Sequence, residues 1–333
     1  MRRELREMLT LAWPVILAEI GWVSMGTVDT IMVGPLGPAA IGAVGTGSAI
    51  FFALIVLGFG TVYALDTFIA TAFGAGRIDE CHRWLVAGIF AALVMSACLT
   101  TMGLLGISLL GYSGIHPTVL ALLQPYLSVL IWSAPLLLLY SVLRRYLQAM
   151  NVVRPILAVV VVANVFNAVA NWVFVYGHLG VPALGVTGSA YATLSARAVL
   201  VGLLALVVWQ RERATPSGFH DVPWSWDGAR VKRIVRLGLP IGFQIVLEVG
   251  VFTLAAVFAG QISPVALAAN QVVLNIASFF FMIPLGLSAA AAVRVGHAIG
   301  RGSAGEARLA GWSAIGLAMA MAAAVGIGLV AAP

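Results

Sequence analysis

Four carboxylates fall inside long apolar runs of this sequence: Glu19, Asp29, Asp66 and Glu248. In hydrocarbon an ionisable group is tolerated where it faces a bundle interior or a hydrated cavity, so each of them marks a place where a proton or a cation can be held and released. Asp29 shares a helical face with Trp22, Met25 and Gly26, at spacings of seven, four and three residues, and Glu248 follows Gln244 by one turn. A buried carboxylate there must take up a proton or bind a cation, which is the requirement for coupling to H⁺ or Na⁺. The structural alternative is a hydrogen bond to a neighbouring helix. Asp66 lies near the cytoplasmic end of its run and Glu19 nearer the inner leaflet, where solvation is easier. Amides form stripes of their own: Asn164, Asn167 and Asn171 recur at three and four residues, and Gln271 and Asn275 are four apart. Such stripes either hold helices together or line a hydrated cavity. Arg197 pairs with one of the acids or sits at a cavity wall. Phe279, Phe280, Phe281 and Met282 suit packing against lipid or neighbouring helices, and equally an adaptable wall for planar organic cations.

The elements that must position these groups follow from composition. The chain has 333 residues, 62% hydrophobic and only 9% charged, and a mean hydropathy of +1.05. A soluble domain carries roughly 25% charged residues, so these values describe a polytopic, all-α membrane protein and exclude a catalytic domain outside the bilayer. Apolar runs between breakers predict nine spans, at 9–33, 39–72, 84–110, 118–141, 155–177, 186–209, 232–260, 266–292 and 308–331. Every Lys and Arg except Arg197 falls at the N-terminus or beside an even-numbered loop, Arg144 and Arg145 being assigned to the fourth. Basic residues resist translocation, which places the N-terminus in the cytoplasm and the protein in the inner (plasma) membrane. The same bias accounts for the net charge of +6 without nucleic acid. The basic start followed by an apolar run has a secretory-signal look, but the run is too long and holds Glu19 and Asp29.

Catalytic motifs are missing from the sequence. The five histidines show no metal-ligand spacing, and no GxSxG, HExxH or P-loop pattern occurs. An enzyme is not expected, ATP is not the direct energy source, and no cofactor is implied. Cys81 and Cys98 belong to no CxxC pattern, and across a helix they would lie about 25 Å apart at 1.5 Å per residue, beyond disulfide reach. Nothing in the sequence indicates an oligomer.

Sliding the chain on itself by 240 − 14 = 226 residues matches Pro14 with Pro240, Gly34 with Gly260, Pro38 with Pro264, and Gly60 with Gly286. Gly74 with Gly300, Gly76 with Gly302, and Glu80 with Glu306 continue the series. Breakers fix helix ends and close contacts, so their co-registration over three spans predicts a duplicated bundle. Six spans separate the copies, which makes the repeats parallel, with a cavity between halves. The expected organisation is a six-helix lobe at 1–209, a cytoplasmic linker at 210–230, and the start of a second lobe at 231–333. Residue 333 corresponds to 333 − 226 = 107, so three further spans are expected in a complete second repeat.

Several segments then resemble the multidrug and toxic compound extrusion (MATE) transporters, in particular the NorM-type branch. They are Val28-Asp29-Thr30-Ile31-Met32-Val33-Gly34, Ala72-Phe73-Gly74-Ala75-Gly76-Arg77, Asn167-Ala168-Val169-Ala170-Asn171, Leu239-Pro240-Ile241-Gly242 with Glu248, Ala269-Asn270-Gln271-Val272, and Arg294-Val295-Gly296-His297 with Gly300. The resemblance implies two six-helix lobes in a V and the export of organic cations in exchange for Na⁺ or H⁺. It assigns Asp29, Asn167 and Asn171 to a coupling cluster in the first lobe and Glu248 to the second, with Na⁺ expected at Asp29 or Glu248. Gln271 is implied as a drug contact, and Asn275, Gln244, Trp22 and Asp66 complete the expected cavity. Asp66-Thr67 is similar to an acid-Thr pair of eukaryotic members. The family's acidic residue in the tenth span lies beyond residue 333. A lipid-linked substrate flippase of the wider fold, and a channel-like or non-transporting membrane protein, are the competing expectations.

Overall fold

A computed structural model describes residues 2–112 and 114–331, with side chains at all of these except 2–6, 257, 260, 264–268, 271, 272, 275, 276 and 328–331. It is all-helical: α1 Arg2–Val33, α2 Pro38–Gly74, α3 Ile78–Leu109, α4 Pro117–Leu130, α5 Ala134–Ala149, α6 Arg154–Tyr176, α7 Val186–Ala214, α8 Gly228–Ile262, α9 Pro264–Gly300 and α10 Ala304–Ala331. Among the described residues nine segments are long and apolar enough to cross a membrane, α4 and α5 counting as one because they are joined through a 3-10 turn at Ile131–Ser133. Pro135 explains that turn, since it has no N–H to continue the ladder. Punctuation elsewhere follows the residues expected to break helices. Gly177 ends α6 in the left-handed conformation, and Gly76 at φ 74° lets the Arg77 N–H reach back to the Ala72 carbonyl at 3.0 Å.

One boundary differs in a way that matters. The fourth span runs on to Ala149 rather than stopping at residue 141, so Arg144 and Arg145 are inside α5 and buried, at 6% and 5% exposure. They do not flank a cytoplasmic loop. A guanidinium ends an apolar run in a hydropathy profile, but an internal carboxylate partner removes the reason for the helix to stop there.

The main core unites α2 to α7, with Tyr126, Leu127, Leu138 and Leu147 among its buried side chains. A smaller core joins Met8, Ala12 and Ile16 of α1 to Leu287, Ala290 and Val293 of α9 and to Ala310 of α10. Leu247, Val251 and Phe258 of α8 and Trp312 and Met319 of α10 are exposed, as suits a hydrocarbon solvent. The connection from α7 to α8 is docked rather than loose. The Glu212 carboxylate accepts from the Ser217 and Phe219 N–H groups at 2.9 and 3.1 Å, and His82 meets the Ser217 hydroxyl at 3.0 Å and the Tyr146 hydroxyl at 2.8 Å.

Helix ends recur at the 226-residue spacing. α1 and α8 begin at 2 and 228, α2 and α9 span 38–74 and 264–300, and α3 and α10 begin at 78 and 304. Close approaches are reciprocal in the same register. A Cβ on Gly74 would collide with the backbone of His297, and one on Gly300 with the carbonyl of Thr71, where 297 − 226 = 71. Gly60 packs on Gly242, and Gly286 on Ile16, where 242 − 226 = 16. Backbone-to-backbone packing at Gly60 leaves no room for a side chain, so Gly60→Leu is expected to destabilise the α2–α8 contact by about 1–3 kcal/mol or more. Gly45, which has nothing within 4 Å, is the control: Gly45→Leu should leave the thermal midpoint in detergent unchanged while Gly60→Leu lowers it.

Candidate functional site

Asp29 sits near the end of α1 where α6 and α7 close around it, and it is 5% exposed. Its Oδ1 accepts from Asn167 Nδ2 at 3.1 Å and Asn171 Nδ2 at 2.7 Å, and its Oδ2 from the Thr193 hydroxyl at 2.6 Å. The spacing of four brings both amides to one face of α6. Thr193 was not legible as a partner, although its pattern was available: Ser189, Thr193 and Arg197 recur at four residues on α7 and share a face. The third amide of the stripe does something else. Asn164 donates to the carbonyls of Gly21 and Val160, both at 2.9 Å, and so fastens α6 to α1. Arg197 makes no ion pair with Asp29; it donates to the Ser133 hydroxyl and lies 4.6 Å from the Phe51 ring centroid, within electrostatic reach of the carboxylate.

Beside Asp29 the side-chain carbonyls of Asn167 and Asn171 are buried without a hydrogen-bond partner, and so is the hydroxyl of Ser189, one turn before Thr193 on α7. An orphaned buried acceptor is unfavourable unless something fills it. A carboxylate with neutral carbonyl oxygens nearby is the donor chemistry of a hard monovalent cation, and it is also a carboxyl that a proton can neutralise. Among the described residues no group of three or more His, Cys, Asp or Glu is placed to hold a metal ion.

A second polar centre was not expected as such. Glu19 of α1 receives Arg144 of α5 through two bonds, at 2.5 and 3.3 Å, and Asp66 of α2 receives Arg145 at 2.5 Å. Arg145 also lies 3.9 Å from the Tyr63 ring centroid. All four charged groups are buried, and Gln148 one turn further is wholly buried with neither amide atom bonded.

Beside that centre is a cavity of about 570 Å³. Glu19, Trp22, Phe59, Tyr63, Arg144 and Arg145 line it from the first helices; Glu248, Phe252 and Thr253 face them from α8, and Phe281 and Met282 from α9. Trp22 packs edge-on against Phe59 at 6.0 Å. The expected cavity residues divide. Trp22 and Glu248 are on the wall. Asp66 is not, because its carboxylate is turned inward to Arg145, and Gln244 is exposed outside the lining. The side chains of Gln271 and Asn275 lie outside the described residues. Asp29 is not on the wall either, so the structure keeps Asp29, Asn167 and Asn171 together and Glu248 apart from them.

This architecture has close relatives. A family model described as MatE matches residues 14–173 and 240–333. The chain is 34% identical to a probable multidrug resistance protein NorM of Bradyrhizobium diazoefficiens over 98% of its own length and 70% of that protein. It is 33% identical to the multidrug resistance protein MdtK of Edwardsiella ictaluri, over 98% of this chain and 71% of that one. Among solved structures, a MOP superfamily transporter from Pyrococcus furiosus superposes with a TM-score of 0.85 at 23% identity, covering 99% of this chain and 73% of its own. The eukaryotic MATE transporter AtDTX14 does so at 0.82 and 22%, over 95% and 70%. The two matched segments hold Asp29, Asn167 and Asn171 in one and Glu248 in the other, so the polar cluster and the cavity carboxylate both lie within what the family shares, and the chain belongs to the MatE family.

Proposed function

We propose that the protein is a secondary active antiporter that exports amphiphilic organic cations in exchange for Na⁺ or H⁺. The observation that carries this is the separation of two carboxylate sites: a sealed Asp29 cluster with unfilled oxygen acceptors, and an aromatic cavity bearing Glu248. A small ion fits the first, and a planar apolar cation fits the second, where Trp22, Phe59, Phe252 and Met282 offer π faces and a polarizable sulfur. Ion binding at Asp29 changes the charge at the junction of α1, α6 and α7, and α1 also carries Glu19 and Trp22 on the cavity side. One helix therefore connects the two sites, which is the link alternating access needs. The reciprocal glycine contacts support parallel repeats rocking about an axis near Ala70 and Gly296, which are themselves 226 apart and pack so closely that a Cβ on Gly296 would collide with that of Ala70. The N-terminus is read as cytoplasmic in the inner membrane, and the positive-inside pattern supports this even without Arg144 and Arg145.

A flippase for anionic lipid-linked substrates would need free basic groups in the cavity, and both guanidiniums there already hold carboxylates. The test is transport in vesicles containing the purified chain. An imposed Na⁺ or H⁺ gradient is expected to drive ethidium against its own gradient, with one of the two ions sufficient. Passive conductance that neither gradient can drive uphill would overturn the proposal in favour of a channel-like protein.

A further inference from the structure

At the Arg-rich end of the bundle, the α2–α3 turn and the first turns of α8 enclose a second cavity, of about 550 Å³. Three guanidiniums reach it: Arg77, Arg230 and Arg233. Two are neutralised by a carboxylate three residues away at the start of a helix, Arg77 by Glu80 at 3.1 Å and Arg230 by Asp227. The Arg230 backbone N–H, 3.0 Å from the Asp227 carboxylate that caps α8, and then its guanidinium, hold that carboxyl below the usual range, so the pair stays ionised. Arg233 has no acidic partner among the described residues, and the cavity carries one cation more than it has anions. Two hydroxyls are also unused. Thr67 and Thr71, one turn apart on α2, have no hydrogen-bond partner among the described residues, whereas Thr61 on the same helix bonds back to Leu57 at 3.2 Å.

The cavity also has an aromatic wall. Phe68 stacks on Trp84 with centroids 4.3 Å apart, and Arg230 lies 5.5 Å from the Trp84 ring centroid. Trp84 is seven residues beyond Arg77 along α3, so at 1.5 Å per residue it is about 10 Å deeper in the bundle. On the adjoining connection Trp224 and Trp226 are exposed, and exposed tryptophans at the end of membrane helices mark the head-group level. Arg233, five residues into α8, and Thr67, seven residues before the end of α2, lie at about the depth of Phe68 and Trp84, so the cavity sets a cation and hydroxyls beside an aromatic surface, as the phosphate and glycerol region of a lipid requires.

The counterpart positions sharpen the point. Those of Phe68 and Arg233 in the 226-residue register are Arg294 and Glu7, and these two pair at 2.7 Å. The α1–α9 seam is closed by an internal ion pair, while the α2–α8 seam is left with a cation in search of an anion. We propose that this cavity binds the phosphate of an anionic phospholipid, held by Arg233 and the Thr67 and Thr71 hydroxyls, with the glycerol and first acyl carbons against Phe68 and Trp84. The lipid bridges α2 and α3 to α8, and the site does not depend on the transport mechanism proposed above.

Native mass spectrometry of the detergent-purified chain, titrated with phosphatidylglycerol or with phosphatidylcholine of the same acyl chains, tests it. Phosphatidylglycerol is expected to be retained in preference, and Arg233→Gln to reduce that preference about tenfold, the effect of losing one charge-assisted hydrogen bond. Lys232→Gln removes the same charge from the neighbouring position, which like Arg233 is exposed but does not line the cavity, and is expected to leave the preference intact. Equal retention of the two lipids, or equal effects of the two variants, would overturn the proposal. Inorganic phosphate that displaces the lipid completely, with the same dependence on Arg233, would instead make this a site for a free anion and overturn the lipid as its source.

Discussion

In vesicles that hold a Na⁺ or pH gradient, the Asp29→Asn chain is expected to move ethidium no faster than passive leak. The substitution is nearly isosteric and keeps a polar group among Asn167, Asn171 and Thr193, so insertion and folding should survive. What it removes is the one formal negative charge in a cluster whose remaining groups are neutral. A neutral amide neither accepts a proton in the physiological range nor balances the charge of Na⁺, and in a site shielded from water no solvent replaces that balance. Thr193→Val separates charge from geometry. It deletes a single hydrogen bond to an ionised group, which is worth about 1.5–3 kcal/mol, so half-saturation by the coupling ion should shift by about tenfold or more while the maximal rate persists. Glu248→Gln acts on the other site and is expected to abolish gradient-driven efflux as well, without changing ion binding at Asp29. Wild-type efflux from both carboxylate variants would sink the assignment of either residue to coupling.

The span count, the grouping of Asp29 with Asn167 and Asn171, and the register between helices were all readable from the chain, because each rests on spacing along a single helix. A polar residue every three or four positions must share a face, and a glycine or proline at a fixed offset must end or crowd a helix in the same place. What spacing does not carry is the partner across an interface. Thr193 lies far from Asp29 in sequence, and nothing local distinguishes it from any other helical threonine. Arg144 and Arg145 were assigned to a loop because hydropathy treats a guanidinium as a boundary regardless of what lies opposite it. Glu19 and Asp66, read as nearer to solvent, are the two groups that make those arginines internal. A complementary charge on another helix is invisible to a profile along one helix, and the cavity wall followed from that omission: Asp66 was expected on it, yet Arg145 holds that carboxylate away.

The same two pairs set up the largest stability effect. Arg144→Met is expected to destabilise the chain by about 3–5 kcal/mol, because it leaves the Glu19 carboxylate buried without its counter-charge. Glu19→Leu alone should behave alike, stranding Arg144. Replacing both at once removes the desolvation penalty together with the attraction, so the Glu19→Leu, Arg144→Met chain is expected to recover most of the loss, and a double-mutant cycle should return a coupling of several kcal/mol. Arg301 and Glu306 supply the comparison. They approach to 2.6 Å, almost the same as the 2.5 Å of Arg144 and Glu19, but stand in solvent with side chains 43% and 56% exposed. Breaking that pair with Arg301→Gln should change stability by less than about 1 kcal/mol. Unfolding of the detergent-purified variants, followed by tryptophan fluorescence, measures all four. If Arg144→Met were as mild as Arg301→Gln, water would have to reach the pair, and the bundle beside the cavity would be open to solvent where the packing closes it. The closest approach is nearly the same in the two pairs, so distance does not account for the difference between them, and burial is the main contrast.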